Sequence, residues 1–320
     1  MIGELSYLIF FLIFVSIFAI AVLGLNLQWG FTGQFNAGVV GFFAVGAYAM
    51  AILTGPTQPR LPDQAFQVSG IGLPFALGLL GAIGVSAAIA YVIGLVTVRL
   101  RHDYLAITTF GIAIVIHLVT INFESLTAGT LGFVGIPRPL ASTFATPFAH
   151  NVAYLAMMFA ITGAVFWGLE RIVRSPWGRV LKAVREDDVA AIAVGKNADR
   201  YRLEAFVIGC ALMGLAGALY AAYIGSISPF DFLPIMTFQI WTMMIVGGSG
   251  NNRGALLGAL VVWGLWTSSG ALVSQVVPAK FQAQGGAIQV ILIGLVLVGT
   301  LLFRPRGLIG EEPKVSRYVD

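Results

Sequence analysis

Long apolar runs constrain how this chain folds. A helix needs about 20 consecutive, mostly apolar residues to cross the hydrocarbon core of a bilayer. The sequence supplies about nine such runs, within a range of eight to ten, near residues 5–25, 34–54, 72–98, 104–122, 151–173, 203–225, 235–248, 254–274 and 287–303. Only 10% of the residues are charged and 58% are hydrophobic, against about 25% charged in a soluble domain. So much apolar surface has no place inside a solvated shell. The 39 glycines fit helices that approach closely in lipid. The sequence therefore predicts an all-α, polytopic integral membrane protein. Residues 1–303 form a single transmembrane domain and residues 304–320 a C-terminal tail. The second and seventh runs are flanked or interrupted by glycine (Gly38 and Gly41; Gly247, Gly248 and Gly250), and are either broken, re-entrant or ordinary spans.

The charges give an orientation. With the N-terminus outside and the C-terminus inside, 15 of the 18 Lys and Arg fall on the inner side. They are Arg99 and Arg101, the eight from Arg171 to Arg202, Arg253, and the four after Phe303. Arg60, Arg138 and Lys280 fall outside. This is the positive-inside bias. It explains the basic balance as a marker of the cytoplasmic face, with no nucleic-acid partner. Glu4 precedes the first run with no Lys or Arg, the reverse of a cleavable signal peptide.

The polar residues narrow the chemistry. No acidic or basic side chain lies mid-span. An ion-coupled carrier or a pump places ionisable groups there, so that class is disfavoured. His117 is the titratable group well inside a span. It either faces a pore or sits neutral, hydrogen-bonded to a neighbouring helix. His102 and His150 fall in loops with no partner at metal-ligand spacing. Cys210, the single cysteine, excludes a disulfide framework and reads as a small buried hydrophobe. No catalytic motif appears. The glycine run Gly247 to Gly254 lacks the Gly-Lys-Ser/Thr of a phosphate loop, so the chain is no enzyme, and any ATPase is a different chain.

The longest inner loop, 174–202, reads as folded. Ser175-Pro176 supplies a capping hydroxyl and then Pro at the first helical position. Val180, Leu181 and Val184 share one face of the helix that follows. After the acidic cluster Glu186-Asp187-Asp188, Asp188 is expected to cap a second short helix, Val189 to Val194, ended by Gly195. Three adjacent carboxylates disfavour a helix lying on anionic headgroups. The alternative is a compact knob suited to a groove on a partner.

The stretch from Ser175 to Ala191, then Gly195-Lys196-Asn197, resembles the coupling segment of the branched-chain amino acid ABC transporter permeases, and more closely the M-type subunit of the H/M pair. The resemblance covers nearly the whole chain. Leu25-Asn26-Leu27 with Gly30 to Gln34 is similar to the family's first loop. Arg99-Leu100-Arg101 with Tyr104 to Ile107 is similar to its next inner loop. Leu126-Thr127 and Gly135 to Pro139 fit the outer loop, Gly247 to Gly250 with Gly254 and Gly258 the late glycine motif, and Phe303 to Leu308 the C-terminal signature. The outer run Ala128-Gly129-Thr130-Leu131-Gly132 departs from the family by lacking an acid.

The resemblance implies a permease subunit in a bacterial-type plasma (inner) membrane. It pairs with a second permease as a heterodimer, with two ATP-binding subunits on the cytoplasmic knobs and an external substrate-binding protein. No cofactor is implied for this chain, and ATP belongs to the partners. Arg179, Ala183, Arg185, Glu186, Asp187 and Gly195 are the expected ATPase-coupling positions. A path for a zwitterion wants small, neutral polar groups. Asn26, Gln34, Asn36, Thr108, Thr109, Asn122 and Gln239 are the candidates, and each alternatively satisfies a neighbouring backbone group. The cargo class is branched-chain or other small amino acids, with urea or short amides as the alternative.

Overall fold

Each of the nine apolar runs forms a helix in the computed structural model. The structure describes residues 2–56, 70–100, 102–140, 146–276 and 285–311. Arg60, Asp63, Arg101, Lys280, Glu312, Lys314, Arg317 and Asp320 lie outside the described residues. In chain order the helices are α1 (Ile2–Thr32), α2 (Val39–Thr54), α3 (Phe75–Thr97), α4 (His102–Asn122), α5 (Glu124–Thr127), α6 (Pro147–Arg174), α7 (Pro176–Glu186), α8 (Asp188–Ala193), α9 (Ala198–Ile224), α10 (Pro234–Gly247), α11 (Asn252–Val276) and α12 (Gly285–Phe303). Seven of them are long and apolar enough to cross a membrane. The chain is an all-α, multi-pass membrane protein.

The two uncertain runs are the short ones. Helices α2 and α10 have 16 and 14 residues, about 24 and 21 Å at 1.5 Å per residue, less than the ~30 Å hydrocarbon core. Each is preceded by non-helical chain: residues 33–38 before α2, and a short strand with a 3₁₀ turn (Pro229–Phe232) before α10. Irregular backbone is tolerated at such depth where protein covers it, and Gln34 and Asn36 are buried.

Helices α1 and α9 form the centre. Of the apolar stretch of each, 72% is buried, against 6% for α12, so α12 lies at the periphery. Close packing at the centre depends on missing side chains. A Cβ on Gly46 would sit 1.9 Å from the Gly214 carbonyl oxygen, and one on Gly217 would sit 1.8 Å from that of Phe43. Helices α2 and α9 therefore meet backbone to backbone. Inside the bundle Tyr154 Oη donates to the Leu219 carbonyl at 2.8 Å.

One end of the bundle is closed by a two-stranded antiparallel pairing, β1 (Phe133–Val134) with β2 (Ser226–Ile227). Arg138 adds a bond to the Ile224 carbonyl at 2.9 Å. Helix α6 starts earlier than the apolar run indicates: Thr146 caps it by accepting from Ala149 N at 3.3 Å, and Pro147 follows. His150 is therefore helical, not in a loop. It is buried, with Nε2 2.9 Å from the Pro139 carbonyl oxygen. His102 likewise opens α4. The opposite end carries α7, α8 and most of the basic residues, and is the basic end.

Candidate functional site

The 174–202 loop folds as two short helices. Pro176 opens α7. Ser175 occupies the cap position, but its hydroxyl donates back to the Ile172 carbonyl at 2.6 Å instead of capping. A Cβ on Gly178 would lie 2.0 Å from the Val173 carbonyl oxygen, so only glycine lets α7 fold back beneath α6. Leu181 and Val184 are buried, and Val184, Ala191 and Ala198 form a small core joining α7, α8 and α9. The acidic corner differs from expectation by one residue. Asp187, not Asp188, caps α8, accepting from Ala190 N at 3.0 Å. That leaves Asp188 to pair with Arg202 at 3.0 Å. Gly195, at φ +79°, follows the helix end and donates to the Ile192 carbonyl at 2.9 Å. Trp177 Nε1 donates to Glu204 Oε2 at 2.7 Å, pinning α7 to α9.

The knob presents a mixed outer surface. Of the six coupling candidates, Arg179, Ala183, Glu186, Asp187 and Gly195 are exposed. Beside them stand Val189 (72% exposed), Ile192 (58%) and Val194 (74%). Sequence reasoning missed these three, although Val189 and Ile192, one turn apart on a short helix, and Val194 at its end are a readable signal. A charged rim around an apolar patch is the composition of a protein docking site.

Arg185, the sixth candidate, turns inward. It donates to the Gly30 carbonyl at the end of α1 and pairs with Glu311 at 2.9 Å and with neighbouring Glu186 at 2.7 Å. Burial disfavours the charged guanidinium, but the bonds to Glu186 and Glu311 outweigh it and raise its pKa. Burial pushes the Glu311 carboxyl up, and the bonds from Lys182 and Arg185 reverse that and hold it below the usual carboxylate range. Lys182 also stands 5.3 Å from the centre of the Phe31 ring.

The tail around Glu311 is threaded into the turn between α10 and α11. Leu308 N and Ile309 N donate to the Val246 and Gly247 carbonyls at 2.8 and 3.0 Å. Gly248, at φ +113°, faces the Ile309 carbonyl so closely that a Cβ would come within 2.5 Å. On the other side of this turn, Asn26 Oδ1 accepts from Gly250 N at 2.9 Å and Asn26 Nδ2 donates to Asn252 Oδ1 at 3.0 Å. Asn252 in turn donates to Glu170 Oε2 at 3.1 Å. One polar junction thus joins α1, α6, α7, α11 and the tail. Lys182, Glu170, Asn252 and Glu311 carry no motif of their own and were invisible to sequence reasoning as partners.

The path candidates separate into groups. Asn26 is consumed by that junction. Asn36 donates to Gln28 Oε1 at 2.9 Å and accepts from Gly38 N at 2.8 Å. Gln28 donates on to the Phe206 carbonyl at 2.8 Å and to Cys210 Sγ at 3.2 Å. Thr109 accepts from Ala37 N at 3.0 Å. These groups hold the irregular 33–38 segment in place. Asn122 is exposed at the end of α4 and bonds its own helix at Leu118. Thr108 is half-buried and Gln239 buried. The Gln34 amide is buried with neither atom bonded. Residues Gly30 to Thr32, expected in a loop, are the last turn of α1. His117 Nδ1 is buried without a partner, so the expected bond to a neighbouring helix is not seen at that nitrogen. Among the described residues no His/Cys/Asp/Glu group has the makings of a metal site.

Buried central helices, lipid-length peripheral ones and a folded two-helix knob at one end define a multi-pass membrane protein. Residues 7–301 match the family described as branched-chain amino acid transport system / permease component, and the chain belongs to that family. It is 28% identical to the high-affinity branched-chain amino acid transport system permease protein LivM of Salmonella typhimurium, over 92% of this chain and 68% of that one. The LivM protein of Escherichia coli gives the same figures. The LivH protein of Escherichia coli is 26% identical over 91% of this chain and 92% of its own. No solved structure matches.

Proposed function

We propose that this chain is a permease subunit of an ATP-binding-cassette importer, carrying branched-chain or other small amino acids delivered by an external binding protein. The observation that carries the reading is the α7–α8 knob: exposed on its outer side, yet bolted to α1, α9 and the tail through Arg185, Trp177 and Glu311. A segment built this way passes a push from a partner into the span ends. The partners are a second permease, forming a heterodimer, and two ATP-binding subunits that hydrolyse ATP. The knob faces the cytoplasm, the N-terminus lies outside, and the chain performs no chemistry itself. Arg179, Ala183, Glu186, Asp187 and Gly195, with Val189, Ile192 and Val194, meet the ATPase. Arg185 transmits behind them.

The test is purification of the tagged chain from detergent, followed by reconstitution with its co-purifying chains. A second permease and ATPases should co-purify, and labelled leucine uptake should require ATP and survive collapse of the proton gradient. Glu186→Ala with Asp187→Asn, which keeps the cap, should leave the complex in the membrane but uncouple ATP hydrolysis from uptake. A chain that purifies alone, or uptake that follows the proton gradient, refutes the reading.

A further inference from the structure

The β1–β2 end of the bundle exposes large apolar side chains that its own fold leaves uncovered. Val134 is 81% exposed, Leu131 62% and Phe230 59%. They belong to one cap. Val134 pairs with Ser226 across the two strands. Leu131 ends a 3₁₀ turn (Gly129–Leu131) that lies against the Pro229–Phe232 turn, which carries Phe230. Exposed Glu124, Arg138 and Asp231 are interleaved with them in the same segments. Charged side chains are costly in hydrocarbon, so the cap stands clear of the lipid tails, and the tails do not cover its apolar surface. Exposed apolar side chains rimmed by polar ones mark interaction sites.

The cap is held to the bundle at several points. Phe232 is wedged between α2 and α9, its ring centre 6.1, 5.9 and 6.2 Å from those of Phe43, Tyr48 and Tyr220. Phe133 packs on Tyr48 at 6.0 Å. Asp231 Oδ2 accepts from Ser228 N at 2.7 Å and closes the turn between them. A Cβ on Gly132 would come within 2.0 Å of the Ile227 carbonyl oxygen, so this close approach needs glycine. A surface positioned before binding loses little freedom on docking. Arg138 is positioned too, through the bond from Nη2 to the Ile224 carbonyl at 2.9 Å, yet no carboxylate pairs with it among the described residues. A fixed arginine beside exposed apolar side chains is the composition of an interface hot spot, and it selects a partner that offers a carboxylate.

We propose that this cap docks the external substrate-binding protein, with a carboxylate of that protein on Arg138 and an apolar patch of it over Leu131, Val134 and Phe230. The inference rests on the importer reading above and deepens it by giving the external partner a surface. Two features favour that occupant. The cap lies at the end opposite the α7–α8 knob, so with the knob in the cytoplasm it faces the compartment from which cargo arrives. Its charges keep it in water, where a soluble protein reaches it.

The experiment uses the assembled transporter in nanodiscs and the substrate-binding protein that supports its leucine uptake. Leucine-loaded binding protein is titrated onto the nanodiscs and its Kd measured. Arg138→Glu and Val134→Asp should each weaken binding about tenfold or more, as loss of a hot-spot contact gives. Neither should change which chains co-purify. Val134→Asp alters an exposed side chain and should leave the thermal midpoint level, which separates lost docking from misfolding. A photo-crosslinking residue, p-benzoylphenylalanine, placed at Val134 should capture the binding protein on irradiation. An unchanged Kd in both variants, or capture of lipid or of the second permease in place of the binding protein, would overturn the proposal. ATP-driven leucine uptake is read on the same preparations. Uptake that persists with an unchanged Kd in both variants removes the docking cap and leaves the importer standing, whereas no ATP-driven uptake with any binding protein removes the importer reading itself.

Discussion

Replacing Glu311 by Gln tests whether the tail holds α7. Glu311 is partly buried and accepts from both Lys182 and Arg185. Gln keeps the shape and one acceptor and loses the charge. Hydrogen bonds to charged groups contribute about 1.5–3 kcal/mol, and exposed pairs less than about 1 kcal/mol. Two partly exposed pairs that are weakened rather than erased should cost about 1–2 kcal/mol. That is a rise of about 5–30-fold in the fraction of molecules with the tail undocked. The reporters are the Leu308 and Ile309 amides, which exchange with solvent only when their bonds to Val246 and Gly247 open. Hydrogen exchange, corrected to protection factors, should show both falling by that factor while α9 is unchanged. The pH dependence follows from the lowered Glu311 pKa. A carboxyl held below its unfolded value contributes docking stability that is complete above the ordinary carboxylate pKa and lost as pH falls through the lowered one. The wild-type factors should therefore be flat from neutral down to the carboxylate range, then fall toward those of Glu311→Gln, which should stay flat throughout. Unchanged protection in the variant at neutral pH would refute the reasoning.

Other expectations follow from the same structure. A Cβ on Gly258 would meet the Met243 carbonyl oxygen at 1.8 Å, so Gly258→Ala should cost several kcal/mol, roughly 3 or more, and abolish monodisperse protein in detergent. Gly299→Ala, with nothing within 4 Å, should leave it intact. Asp187→Ala should lower the thermal midpoint through about 1 kcal/mol of lost capping, and Asp187→Asn should not; equal midpoints would disprove the capping role. Asn26→Leu strands the Gly250 amide and Asn252 and should destabilise by about 2–4 kcal/mol, read as a drop in thermal midpoint that Asn26→Asp partly avoids.

The spans were legible because each is a local pattern: an apolar run of sufficient length needs no knowledge of its neighbours. The α7–α8 corner was legible nearly to the residue for the same reason. Its cap slipped from Asp188 to Asp187 because two adjacent acids both qualify locally, and only Arg202, 14 residues on, decides between them. The junction was not legible. Arg185 meets Gly30 across 155 residues, and nothing in either neighbourhood announces the other. The path candidates are a different case. Asn26 and Asn36 have the polarity a path wants, but the same polarity is needed to hold irregular backbone inside a bundle, and composition does not separate the two uses. Gln34, on the same segment, is the one left unbonded.

The threading of residues 306–311 through the α10–α11 turn has a consequence for biogenesis. Lys182 leaves the ribosome 129 residues before Glu311 arrives to meet it. Until then the corner is oriented by its small apolar core, Trp177, the Arg185 bond to Gly30 and the Asp188–Arg202 pair, and Lys182 and Arg185 lack their strap partner. The strap behind α7 is therefore finished last, after α12 has been synthesised. A product stalled after α12 would therefore hold all its spans while α7 lacks its strap to the tail.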